Sequence, residues 1–147
     1  MTRSAATRIP ATSSSVRRGA FAGYRWLLLA FLLLGVVQIF LAGLGVFSLD
    51  GQKLGAAGET AFDPHRNLGF AMGAVALLIL VLALLARLGA RAIILAVVLL
   101  LLTSLMQSVL AGLADDQAFF GGLHALDGLV ILGIAGYLYA SSRRLQP

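Results

Sequence analysis

Four long stretches of Leu, Val, Ala, Ile and Phe, separated by short polar breaks, set the pattern along the chain. They cover 26–47, 65–86, 92–114 and 119–140, each about the 20 residues that a helix needs to cross roughly 30 Å of hydrocarbon. In lipid a segment must satisfy its backbone N–H and C=O groups internally, which a single helix does. The pattern therefore predicts an all-α integral membrane protein, a four-transmembrane-helix bundle over residues 25–144.

The polar exceptions within these runs recur. Gln38-Ile39-Phe40-Leu41-Ala42-Gly43-Leu44 returns as Gln107-Ser108-Val109-Leu110-Ala111-Gly112-Leu113. Each copy is followed by an apolar segment that opens with a histidine and has a glycine four residues on, His65 with Gly69 and His124 with Gly128. Each unit is a pair of helices, an even number of crossings, so the fold consists of two parallel two-helix repeats about a pseudo-two-fold axis along the membrane normal. On the first helix Gly35, Gln38, Ala42 and Gly45 share one face, and Ser104, Gln107, Ala111 and Ala114 repeat it on the third. Small residues let helix backbones approach, and an amide among them bonds across a helix pair.

Composition agrees with lipid as the solvent: 60% of residues are hydrophobic, 12% are charged, and the mean hydropathy is +0.97. The basic residues then report orientation. Arg3, Arg8, Arg17, Arg18 and Arg25 precede the first span, Arg87 and Arg91 join the second to the third, and Arg143 and Arg144 follow the fourth; only Lys53 and Arg66 lie in the other loops. This bias predicts a multi-pass protein of the bacterial inner (plasma) membrane with both termini cytoplasmic. The net charge of +5 is accounted for by topology and anionic lipid, so no nucleic-acid partner is expected. The expected partners are the bilayer and a membrane protein or a second copy.

Residues 1–24, rich in Ser, Thr, Ala and Arg, predict a disordered basic cytoplasmic tail, and the first span predicts an uncleaved signal anchor. Asp63 is expected to cap the second helix with Pro64 at its first position, and Asp115 or Asp116 to cap the fourth. The short turn Arg87–Arg91 makes the second and third helices antiparallel neighbours. The connection Ser48–Phe62 is expected over the outer mouth. With no cysteine, disulfides and thiolate ligands are excluded.

Both histidines fall near the outer ends of their helices. Facing inward, they would stand on opposite sides of the axis, where a metal takes one imidazole from each, as a four-helix bundle holds a bis-histidine haem. Gly69 and Gly128 would then clear room for the macrocycle, with Gln38 and Gln107 lining the same cavity. Arg66 would meet a propionate. Asp127, one turn beyond His124, has three open readings: orienting that histidine, pairing with Arg66, or reaching outer-face water.

The His65-Arg66-x-x-Gly69 opening of the second helix, with His124 opening the fourth, resembles one four-helix half of the haem A synthases, and small uncharacterised bacterial four-helix membrane proteins with a histidine on helices 2 and 4. The resemblance implies a haem between His65 and His124 near the extracytoplasmic face. Phe62 stands where the synthases carry a glutamate, and this chain has four spans rather than eight. What it implies is thus binding of haem b, without oxidation of a haem methyl group.

Neither a phosphate loop, a G-x-S-x-G elbow nor an H-E-x-x-H pair is present, so no independent catalytic activity is expected beyond a redox role. Three functions stay open on the sequence: a haem-binding protein of electron transfer or haem handling, a cofactor-free structural or assembly subunit, and a small dimeric transporter.

Overall fold

A computed structural model describes residues 11–48 and 60–144, with side chains from residue 15. The connection Ser48–Phe62, expected over the outer mouth, lies largely outside the described residues. Four helices result: α1 (Ala11–Ser48), α2 (Asp63–Leu85), α3 (Ala90–Ala114) and α4 (Ala118–Ser142). All four are long and apolar enough to cross a membrane. Among the described residues there is no strand.

Each helix packs on its neighbours in chain order and α1 closes on α4, so α1 and α3, and likewise α2 and α4, stand diagonally. Inward positions follow steps of four and three, the spacing that keeps a seam facing its partners in a left-handed bundle. Tyr24, Leu28 and Phe31 of α1, Met72, Ala76, Ile79 and Ala83 of α2, Ala96 and Leu99 of α3, and Ile131, Ala135 and Leu138 of α4 form the buried core. The alanines let the helices approach, while Phe40, Phe47, Phe70, Leu126 and Leu129 face outward, as lipid permits and water would penalise.

The repeat is visible in the packing. A Cβ on Gly45 of α1 would run into the Phe62 ring at 2.7 Å, and at the equivalent contact Gly121 of α4 faces the Ala114 Cβ of α3 at 3.6 Å. The inter-unit contacts match as well: Gly35 accommodates Leu132, and Gly73 accommodates Ser104. In both sets the larger side chain changes sides between copies, so the close approach is kept with its sizes exchanged.

α3 differs from α1 at one place. Residues Leu102–Met106 form a π-helical turn, and the Gln107 N–H bonds to the Leu102 carbonyl five residues back. A π turn holds one residue more than an α turn. The inward positions of α3 need it, because Leu99, Thr103 and Gln107 are two successive steps of four where α1 alternates four and three. The wide turn brings the core face and the glutamine face into one seam.

Several local expectations are corrected. α1 begins at Ala11, so the stretch expected as tail is helical from there, with Ala20, Phe21 and Tyr24 buried; residues 1–10 lie outside the described residues. The N-cap of α2 is Phe62, which places Asp63 inside the first turn, and neither cap makes the expected side-chain hydrogen bond. Asp115 closes α3, and Gln117 opens α4 from an extended conformation. The turn between α2 and α3 uses Arg87 at φ 53°, and the Leu88 N–H closes on the Ala83 carbonyl at 3.0 Å, the helix-ending geometry usually given to glycine.

Candidate functional site

At the end of the bundle where α1 leads into α2 and α3 into α4 the same seam is polar, because Gln38 and Gln107 continue the inward face of α1 and α3, and His65 and His124 that of α2 and α4. Within each two-helix unit the two residues bind each other in opposite senses. The Gln38 amide Nε2 donates to the His65 carbonyl at 2.8 Å, and the His65 ring Nδ1 lies 3.1 Å from the Gln38 carbonyl. In the second unit the Gln107 Nε2 donates to the His124 carbonyl at 2.9 Å, and the His124 Nδ1 lies 3.2 Å from the Gln107 carbonyl. A carbonyl only accepts, so Nδ1 carries a proton in both rings, and the neutral form of each ring therefore presents Nε2 as a lone pair.

The two imidazoles meet across the α2–α4 diagonal. Their centroids are 6.0 Å apart with planes inclined at 57°. Both rings are half-buried. Phe62 lies edge-on to His65 at 6.4 Å, a neighbour that sequence reasoning noted only as the residue replacing a glutamate. Its position one turn before His65 was the available signal.

Gly69 and Gly128 both lie against the glutamine amides. A Cβ at Gly69 would sit 3.3 Å from the Gln38 Nε2, and one at Gly128 3.9 Å from the Gln107 Nε2. The missing side chain at Gly69 leaves room for the Gln38 amide, whereas Gly128 stands at ordinary contact distance from the Gln107 amide. The glutamines in turn clamp helix pairs through the histidine carbonyls.

The charged neighbours separate. Arg66 bonds Asp63 at 3.0 Å on the exposed surface of α2. Asp127 turns inward and accepts a hydrogen bond from the Gln107 Nε2 at 2.9 Å, so of its three readings pairing with Arg66 is ruled out. Leu68 occupies the equivalent position of the first unit, and there the second amide hydrogen of Gln38 faces the His65 Nε2 at 3.4 Å. The Gln38 Oε1 and the Thr103 hydroxyl are buried without a hydrogen-bond partner among the described residues. Among the described residues no cluster of three or more His, Cys, Asp or Glu could hold a metal, so any metal here rests on the two imidazoles and ligands the group itself brings.

At the other end of the bundle, Arg91 lies over the Tyr137 ring at 4.9 Å. Trp26 is exposed there, and Tyr24 is buried in the core.

No curated protein and no solved structure matches the chain. A family profile matches residues 38–113, beginning on Gln38, taking in His65 and Gln107, and ending before His124. The chain belongs to the DUF6220 family, a family of unknown function.

Proposed function

We propose that this four-helix membrane protein binds haem b between His65 and His124 and works in electron transfer or haem handling. One observation carries the reading: two imidazoles on diagonal helices, 6.0 Å apart at their centroids, each held through Nδ1 to a backbone carbonyl. Two imidazoles sharing one metal at about 2.0 Å per bond would have centroids about 6.2 Å apart. Metal-bound histidines commonly donate their other ring N–H to a carbonyl or carboxylate, which sets tautomer and ring angle. The donor set therefore fits axial ligation.

His65 and His124 would be the two ligands. Gln38 and Gln107 would hold them from behind, and Arg66, which already pairs with a carboxylate at the surface, would meet a propionate in place of Asp63. When bound, haem would supply one-electron redox chemistry; the polypeptide contributes the ligands, their orientation and an apolar surround that limits water. The orientation that goes with this reading has both termini cytoplasmic and the histidines on the opposite side of the bacterial inner membrane.

A reduced-minus-oxidised spectrum of protein made with ample haem tests it. Low-spin six-coordinate haem is expected, and His65→Ala or His124→Ala should each end six-coordination. A protein without a Soret band overturns the reading. The hydrogen bonds that staple α1 to α2 and α3 to α4 would then favour a cofactor-free structural subunit.

A further inference from the structure

We infer that the two imidazoles are unequal ligands and that Asp127 makes them so, a positioning residue that holds the Gln107 amide away from the His124 Nε2. The inference deepens the reading of the pair as ligands and rests on it for its consequence in haem binding.

Each glutamine amide carries two N–H bonds. The first is spent identically in both units, on the carbonyl of the histidine. The second is spent differently. In the second unit it goes to the Asp127 Oδ2 at 2.9 Å, and among the described residues no hydrogen bond reaches the His124 Nε2. In the first unit the position equivalent to Asp127 is Leu68, which accepts nothing, and the amide faces the His65 Nε2 at 3.4 Å. That contact is long for a hydrogen bond, yet it lies on the lone pair an electrophile needs. Anything binding the His65 Nε2 must move the Gln38 amide first. No amide stands hydrogen-bonded to the His124 Nε2 among the described residues.

The order of ligation follows. His124 would be the first imidazole to hold a haem iron and His65 the second, so His65→Ala should retain five-coordinate haem while His124→Ala should retain little. Removing the acceptor, Asp127→Leu, lets the Gln107 amide turn to the His124 Nε2 and makes the units alike. Asp127→Asn keeps an acceptor oxygen and should preserve the difference.

The test uses diethyl pyrocarbonate on the haem-free protein in detergent, with modification of each histidine followed by peptide mass spectrometry. The reagent acylates the unprotonated ring nitrogen, here Nε2. His124 should react several-fold faster than His65; Asp127→Leu should bring His124 down to the His65 rate, and Asp127→Asn should not. Leu68→Asn, which places an acceptor in the first unit, should speed up His65 and keeps the question open to test if Asp127→Leu fails to fold. Equal rates in the unaltered protein, or a ratio insensitive to both substitutions, overturn the inference. Because the reagent needs no haem, unequal rates in a protein without a Soret band would sink the haem reading alone. Equal rates beside an intact six-coordinate spectrum would sink only the inequality.

Discussion

Gln38 and His65 are bound to each other in both directions, side chain to backbone each way: the glutamine amide donates to the histidine carbonyl at 2.8 Å, and the imidazole Nδ1 meets the glutamine carbonyl at 3.1 Å. Such a pair fixes the rotation of both helices about their axes and aims the imidazole. Its copy at Gln107 and His124 does the same across the bundle.

Because each glutamine bonds within its own unit and not to the other glutamine, their substitutions should act separately. Gln38→Leu and Gln107→Leu should each destabilise by roughly 0.6 to 2 kcal/mol, the range of interhelical polar contacts in membranes. Gln107→Leu should cost more, since it also strands the Asp127 carboxyl. The double variant should equal the sum within about 0.5 kcal/mol. Reversible unfolding in mixed micelles measures this, and strong coupling would contradict the two-unit picture.

The two glycines should respond differently to alanine. Alanine in a helix interior gains about 1 kcal/mol over glycine. At Gly128 the added methyl would meet the Gln107 amide at an ordinary 3.9 Å, so Gly128→Ala should raise the melting temperature. At Gly69 the methyl would press on the Gln38 amide at 3.3 Å and weaken its bond to the His65 carbonyl, cancelling the gain. Thermal melts of the two variants in one detergent compare them directly, and a larger gain at Gly69 would refute the assignment of these glycines to the amides.

Topology admits a direct check. With nine of eleven basic residues before the first span, between the second and third, or after the fourth, a reporter active only in the cytosol should give signal when fused to either terminus and none when placed between Ser48 and Phe62. The reverse pattern would put both histidines at the cytoplasmic face.

Much of this architecture is set locally. Any run as long and apolar as 65–86 must become a helix in lipid, whatever surrounds it, because no other solvent-facing conformation satisfies its backbone. The repeated Gln–Ala–Gly–Leu segments place equal polar groups at equal depths, which follows from helix periodicity alone. Thus the four helices, their alternation and the candidate quartet Gln38, His65, Gln107 and His124 are legible before any contact is known. What only the tertiary structure decided is which groups those residues use. The same glycine serves a macrocycle or an amide depending on which side chain lies opposite, and opposite Gly69 lies Gln38. Asp127 at one turn from His124 reaches several partners, and the rotation of α4 against α3 selects Gln107. The π turn at Leu102–Met106 has the same origin. Apolar composition marks no preference for an extra residue per turn, and only the need of α3 to face one seam with both Leu99 and Gln107 calls for it. Helices in lipid form one by one from short-range bonding, but their facing is a property of the assembled bundle, which decides the partners that lie within reach of each polar group.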